Sequence, residues 1–331
     1  VDSQWHIAFC NVTYTEYAGV TYRDYYRSPA ATLAAQLRAR EVAESKFGVG
    51  GFITPHLDQP CAAFAAYLGM PVLETAADDE LPYVDTRQPL LATAADVTRL
   101  RPGDPRTTPP MSRRWEAWHY YRSQGHDVRF GGCEGSVVTT AHELSAGNVF
   151  VWLAADPAGA RRVLDAVTDA SLKIRDFNES LCGTTDEAYT GDDYAGLLSP
   201  EMFRQFAIPC YARIYAGRSE RFMHSELLRA EHLRLARDLL GITCFHGAGC
   251  ENLTLAEMHA IMGAEFWTQL TPQDLLELSP AAICEKVKRY ANCGARYVQL
   301  YPGRDTPDAN MEAAIAAAER ECRGGRVSEY L

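Results

Sequence analysis

Three side chains in the second half of the chain have the types and spacing to do chemistry together: His224, Glu226 and His246. His224 and Glu226 are two apart, so on an extended chain they point the same way. His246 closes the next predicted strand. Two imidazoles and one carboxylate have the composition of a metal triad that leaves positions open for substrate, water or oxygen. Such a set suits zinc, with iron(II) as the alternative. The competing reading is two ordinary pocket histidines hydrogen-bonded to their neighbours. Only the fold can decide whether the three converge.

Further candidates cluster near predicted strand ends. Asp192 and Asp193 could ligate an ion, hold a ligand histidine or act as general acid and base; they could equally form the turn before the helix starting at Ser199-Pro200. His56 and Asp58 follow an early strand candidate and are read as substrate-binding, against an ordinary loop role. Gly131–Gly135 could admit a ligand close to the backbone, with Glu134 as its ionisable group, or could simply turn a tight corner. Gln269 ends a strand and could bond substrate. Arg304 could pair a substrate carboxylate through its fork, or form a surface ion pair. Cys244 and Cys250 flank His246, but buried small thiols are the usual state of such residues. Cys244 is expected to alternate with the pocket-facing side chains. Trp115, Trp118, Tyr120 and Tyr121 lie at helical spacing and read as core packing.

The elements that must position these groups are legible in outline. Ser28 as N-cap, Pro29 in the first turn and the stripe Leu33, Leu37, Val42, Ala43 predict a helix over 29–47. Gly51–Pro55 and Val128–Phe130 read as strands, and 109–124 as a helix. From residue 156 onward helices and short apolar strands alternate: helix 156–178, strand 188–190, helix 200–216, strand 222–226, helix 228–240, strand 242–246, helix 255–262, strand 266–270, helix 280–293, strand 297–301, helix 307–322. This alternation argues for a parallel sheet, and the number of repeats favours closure into a barrel. Residues 70–125, rich in Pro, Asp and Thr, are placed partly outside it. No GxGxxG follows an early strand, so a dinucleotide fold is disfavoured.

With 331 residues the chain has room for one (β/α)8 barrel, which typically takes about 250 residues plus insertions. A formal net charge of -11 argues against nucleic acid and anionic membranes as partners. No apolar run reaches the roughly 20 residues of a membrane helix, and no signal-peptide pattern is visible. Ten cysteines with no CxxC pair read as reduced thiols, which places the protein in the cytoplasm.

The stretch Gly191-Asp192-Asp193-Tyr194-Ala195-Gly196-Leu197-Leu198-Ser199-Pro200-Glu201-Met202-Phe203, with Phe206, Pro209 and then Met223-His224-Ser225-Glu226, resembles the uroporphyrinogen decarboxylase superfamily, which includes the cobalamin-dependent methyltransferases. Lys46-Phe47-Gly48, Ala62–Gly69, Gly131–Thr140, Leu275–Ile283 and Pro302-Gly303 with Thr306-Pro307 and Asn310 resemble further family segments in the same order. The resemblance covers nearly the whole chain. It implies one domain over 1–331: an α/β fold, a single parallel (β/α)8 TIM-type barrel with an N-terminal helical excursion, in which C-terminal strand ends share one pocket.

Departures from the pattern bear on the chemistry. The decarboxylases carry an Arg-Gln-Ala-Gly-Arg segment for their acidic tetrapyrrole; Gln4–Tyr26 holds nothing like it, which disfavours that activity. The methyltransferases hold zinc on a His-x-Cys pair and a later cysteine. Here His224 falls on the histidine, Glu226 on the first cysteine, and Arg304 near the last. The resemblance thus implies a metal-dependent enzyme acting on a small molecule, anionic if Arg304 faces it. Methyl transfer is its most frequent chemistry, with a corrinoid on a partner protein as a family option. Non-haem iron oxidation and decarboxylation or lyase chemistry at the His/Glu/His set are the alternatives. A binding protein that kept the barrel and lost the chemistry is the third.

Overall fold

The computed structural model describes residues 2–59, 63–73, 77–131 and 135–327. Its centre is a sheet of six parallel strands: β1 (Gln4–Ile7), β4 (Glu187–Gly191), β5 (Glu220–His224), β6 (Cys244–His246), β7 (Phe266–Leu270) and β8 (Tyr297–Leu300). Their order is β1-β8-β7-β6-β5-β4. A separate antiparallel pair, β2 (Val72–Leu73) with β3 (Tyr83–Val84), belongs to the segment predicted to lie partly outside the barrel, and no residue of 77–125 joins the parallel sheet.

The alternation expected from residue 156 onward is present. Each strand is followed by a helix, as parallel pairing requires. Every residue of β7 is buried, the pattern of a strand covered on both faces. Phe266, Leu270, Val298 and Leu300 pack into the main apolar cores, whereas Tyr189, Phe222, Cys244, Trp267 and Tyr297 pack together on the other face. Cys244 therefore shares the face of His246, contrary to the expected alternation, because the two are two residues apart on one strand. The expectation that it is a buried thiol holds: burial pushes it up to about 12.

The N-terminal half departs further from expectation. β1 was not anticipated; Gln-Trp-His-Ile is short and half polar, and it is fixed from afar by β8 and by Val327, whose N–H donates to the Trp5 carbonyl at 2.9 Å. The expected strand 51–55 begins instead as a 3-10 turn at Gly50–Phe52 and makes no ladder. The expected strand 128–130 makes no ladder, and side chains take two of its carbonyls. Trp118 Nε1 donates to the Val128 carbonyl at 3.1 Å, Arg114 donates to the Phe130 carbonyl, and Gly131 N–H donates to Asn178 Oδ1 at 3.1 Å. Among the described residues the sheet therefore keeps two edges, β1 and β4.

Local signals performed well where they were strong. The helix Pro29–Phe47 starts on Ser28, whose hydroxyl accepts from Ala31 N–H, and stops at Gly48 in the left-handed region (φ 66). The predicted helix 200–216 is one continuous run with a wide π turn at Phe203–Ala207. Pro209 lacks the N–H that a regular turn would need there, and Arg161 takes the Gln205 and Phe206 carbonyls. The aromatic set on helix Met111–Ser123 packs as expected: Trp115 and Trp118 stack at 5.5 Å, and Tyr121 is buried beside Val128 and Phe130.

Candidate active site

All six parallel strands point their C-terminal ends the same way, and the exits of β4 and β5 bring three titratable side chains together. His224 is the last residue of β5. Its Nδ1 lies 3.1 Å from the His246 carbonyl oxygen on the neighbouring strand, so this nitrogen donates and, in the neutral ring, Nε2 carries the lone pair. Nε2 faces Asp193 Oδ1 at 3.7 Å. The same Asp193 oxygen accepts the Glu226 N–H at 2.8 Å, which ties the β4 and β5 exits to each other. Burial and Asp193 raise the Glu226 carboxyl above its ordinary value, while His224 lowers it. Asp193 and His224 retain partial exposure, so a ligand can reach them.

Asp192 behaves differently from its neighbour. It is buried, and both of its oxygens are fully engaged. Oδ2 accepts from Val138 N–H (2.7 Å) and Tyr211 hydroxyl (2.7 Å); Oδ1 accepts from Thr139 N–H (2.9 Å) and Thr139 hydroxyl (2.8 Å). The two backbone donors belong to the first turn of the helix Val137–Ser145, where N–H groups have no carbonyl of their own helix to bond. Asp192 therefore caps that helix from the exit of β4 and fixes the loop carrying Asp193. Burial pushes its carboxyl up and the four donors pull it back. Its expected catalytic part is corrected to a structural one, because no lone pair is left to face a substrate.

His246 is also corrected. It is buried, its Nε2 is 2.9 Å from Gln299 Oε1, and Gln269 bonds the same ring. Burial first, then His224, push it down to about 3, so it is a neutral ring. Gln269, expected at the substrate, instead serves this buried network. Arg304 is likewise engaged: it forms a two-pronged ion pair with Asp79 and lies 5.3 Å over the Tyr22 ring. Its expected pairing with a substrate carboxylate is replaced by that internal contact. His56 is exposed, with Nδ1 3.1 Å from the Thr54 carbonyl. Asp58 lies at the other end of the same face, near the β1 and β8 exits, and receives two phenols, Tyr25 at 3.0 Å and Tyr26 at 3.2 Å. Glu134 falls outside the described residues.

The structure brings His224 and His246 of the expected zinc or iron site together, with ring centroids 4.9 Å apart, but the His246 ring that such an ion would need is already engaged. Gln299 and Gln269 both bond the His246 ring, and a guanidinium held by Asp79 stands near the place where the family pattern has a cysteine. Among the described residues no three His, Cys, Asp or Glu side chains are grouped to hold an ion. A cavity of about 640 Å³ lies at the opposite, N-terminal ends of the strands, walled by Tyr189, Phe222, Trp267 and Tyr297. The convergent acid–base groups are at the other end, so the strand exits are the better candidate for catalysis.

Glu143, which the sequence did not single out, lies on the helix that Asp192 caps. Burial, with a contribution from Asp192, pushes it up to about 7 from 4.5. Between those values the folded protein keeps a proton that the unfolded chain has released, so stability falls as pH rises through this window. The full shift corresponds to at most ~3 kcal/mol, and residual solvent screening reduces this to about 1–2 kcal/mol. Glu143→Gln should therefore be about 1–2 kcal/mol more stable than wild type at pH 8, with the gap closing near pH 4. Urea unfolding at the two pH values measures this; a gap that does not change with pH would refute it.

Comparison with known proteins places this geometry. The family model for uroporphyrinogen decarboxylase (URO-D) matches residues 10–303, and the chain belongs to that family. Uroporphyrinogen decarboxylases from Mycobacterium bovis (strain BCG / Pasteur 1173P2) and Mycobacterium tuberculosis (strain ATCC 25177 / H37Ra) are each 30% identical over 135 residues, 39% of this chain. The chain spans 36% of the length of those relatives. A solved methyltransferase from Methanosarcina mazei shares the fold, with a TM-score of 0.68 at 16% identity over 97% of this chain and 94% of that one. No helix among the described residues is long and apolar enough to cross a membrane.

Proposed function

We propose that the chain is a methyltransferase-type member of its family, which moves a methyl group onto a small-molecule acceptor at the C-terminal strand exits. The observation that carries this is the disposition of His224. Its Nδ1 is committed to the His246 carbonyl, and its Nε2 lone pair is left beside the Asp193 carboxylate on the accessible face. In this reading the acceptor heteroatom attacks the methyl carbon. The new bond forms as the carbon–donor bond breaks, and the electron pair leaves with the donor. His224 Nε2 takes the acceptor's proton, and Asp193 stabilises the imidazolium that results. A methyl-corrinoid, free or carried by a partner protein, is the donor class that the family offers. The reading includes a closed eight-stranded barrel, with segments 51–55 and 128–131 taking the two strand places between β1 and β4.

The test uses protein dialysed against EDTA, methylcobalamin as donor, and thiols and amines as acceptors. Demethylation followed by absorbance, with the methylated acceptor detected by mass spectrometry, is expected without added metal. Turnover that appears only when zinc is restored, and is retained at one ion per chain unless His224 is replaced, would reinstate the metal site. No methyl transfer to any acceptor, together with carbon dioxide release from a porphyrinogen, would move the protein to decarboxylation.

A further inference from the structure

We propose that the β1 and β8 exits form a subsite for an ammonium group, with Asp58 as its counter-ion; this rests on the strand exits being the substrate face. Asp58 Oδ2 accepts from Tyr25 hydroxyl (3.0 Å) and Tyr26 hydroxyl (3.2 Å). Each phenol oxygen is itself fixed by an amide donor: Gln36 Nε2 reaches Tyr25 at 3.1 Å, and Asn11 Nδ2 reaches Tyr26 at 2.8 Å. With those donors in place, the phenol protons are directed at Asp58. The carboxylate is thus held rigidly through one oxygen, while Oδ1 has no hydrogen bond among the described residues. The next residue, Gln59, has a buried Oε1 that also lacks a partner. Asp58 Oδ1 is an acceptor, so the chemistry missing at this carboxylate is a donor.

Charge points the same way. The basic side chains near this corner are already neutralised, Arg304 by Asp79 and Arg23 by Asp78. No guanidinium or ammonium of the described residues pairs with Asp58, and it is only partly exposed. The residues beside it are aromatic: Tyr25 and Tyr26, which bond it, lie edge to face at 4.8 Å, and Tyr14, close enough to feel its charge, lies 5.6 Å from the His56 ring. Ring faces attract cations, and the Arg304 guanidinium over Tyr22 shows that this corner already uses that attraction. A carboxylate with one open oxygen beside aromatic residues matches an ammonium head group and repels an anion. On this proposal the substrate carries the opposite charge to the one expected from Arg304.

Calorimetric titration of the full chain with choline chloride, its neutral carbon analogue 3,3-dimethylbutan-1-ol and glutarate tests this. Choline should bind saturably, and the neutral analogue about tenfold or more weakly. Asp58→Asn should weaken choline by a similar factor. Tyr26→Leu, which removes a ring from a partly exposed position, should also weaken it and serves if Asp58→Asn does not fold. Equal binding of choline and its neutral analogue, preference for glutarate, or choline binding unchanged in a folded variant would each overturn the proposal. Because binding is read without turnover, the two readings fail separately. Methyl transfer to an acceptor that ignores Asp58 would sink only the subsite, and Asp58-dependent choline binding without turnover would sink only the methyltransferase.

Discussion

Asp192→Asn is expected to destabilise the protein by about 2–3 kcal/mol, the upper part of the range for leaving a buried donor unpaired and losing hydrogen bonds to a charged acceptor. The side chain keeps its shape but gains an NH2 group. Each carboxylate oxygen of Asp192 accepts from a backbone N–H, Val138 on one side and Thr139 on the other. Either orientation of the amide therefore places a donor against a donor. A typical domain has only about 5–15 kcal/mol of stability, so the loss would be visible as a large fall in urea midpoint. Tyr211→Phe removes one donor of four and should lose only about 1 kcal/mol. Asp193→Asn, one residue on and partly exposed, should change stability by less than about 1 kcal/mol. An Asp192→Asn variant within 1 kcal/mol of wild type would show that the cap is dispensable.

The second large effect is catalytic. His224→Gln should lower kcat for methyl transfer by about 10²–10⁴, the usual contribution of a positioned general base. The glutamine can still donate to the His246 carbonyl, so the strand exit should hold its shape. It offers no group that accepts a proton at neutral pH. A base acts in the transition state, so KM should stay within a few-fold while kcat falls. Asp193→Asn should lower kcat by only about tenfold, because the carboxylate acts on His224 and not on the acceptor. A His224→Gln enzyme retaining kcat within threefold would remove His224 from the chemistry.

Adjacent residues show where the sequence stops being informative. Asp192 and Asp193 are the same residue type in the same turn, and both qualified as catalytic or as turn-forming. Their side chains leave the backbone on different sides: one meets the first turn of a helix some fifty residues earlier in the chain, and the other meets His224. His246 was correctly placed at a strand end. Its role is decided by Gln299, a polar residue in phase with Tyr297 on an otherwise buried strand, a signal that was present and went unused. The same holds for Tyr14, Tyr17, Tyr22, Tyr25 and Tyr26, a run of phenols of which Tyr14, Tyr22 and Tyr25 are buried.

What the sequence by itself determined is the part governed by short-range physics. Caps, first-turn prolines and apolar periodicity located the helix Pro29–Phe47 and the repeating strands and helices after residue 156, and with them the parallel sheet. The family followed from the ordered motifs that those elements carry. Only the tertiary structure decided β1, whose partners are β8 and Val327 at the other end of the chain. Only it decided that 128–130 gives its backbone bonds to Trp118, Arg114 and Asn178 instead of a neighbouring strand. It also gave the two histidines of the expected metal set different partners, Asp193 for His224 and Gln299 for His246, although their rings lie 4.9 Å apart, and it paired Arg304 with Asp79. Hydrogen bonds and charges act over a few ångströms, so a group's chemistry is set by whichever side chains the fold brings that close, however far apart they lie in the sequence.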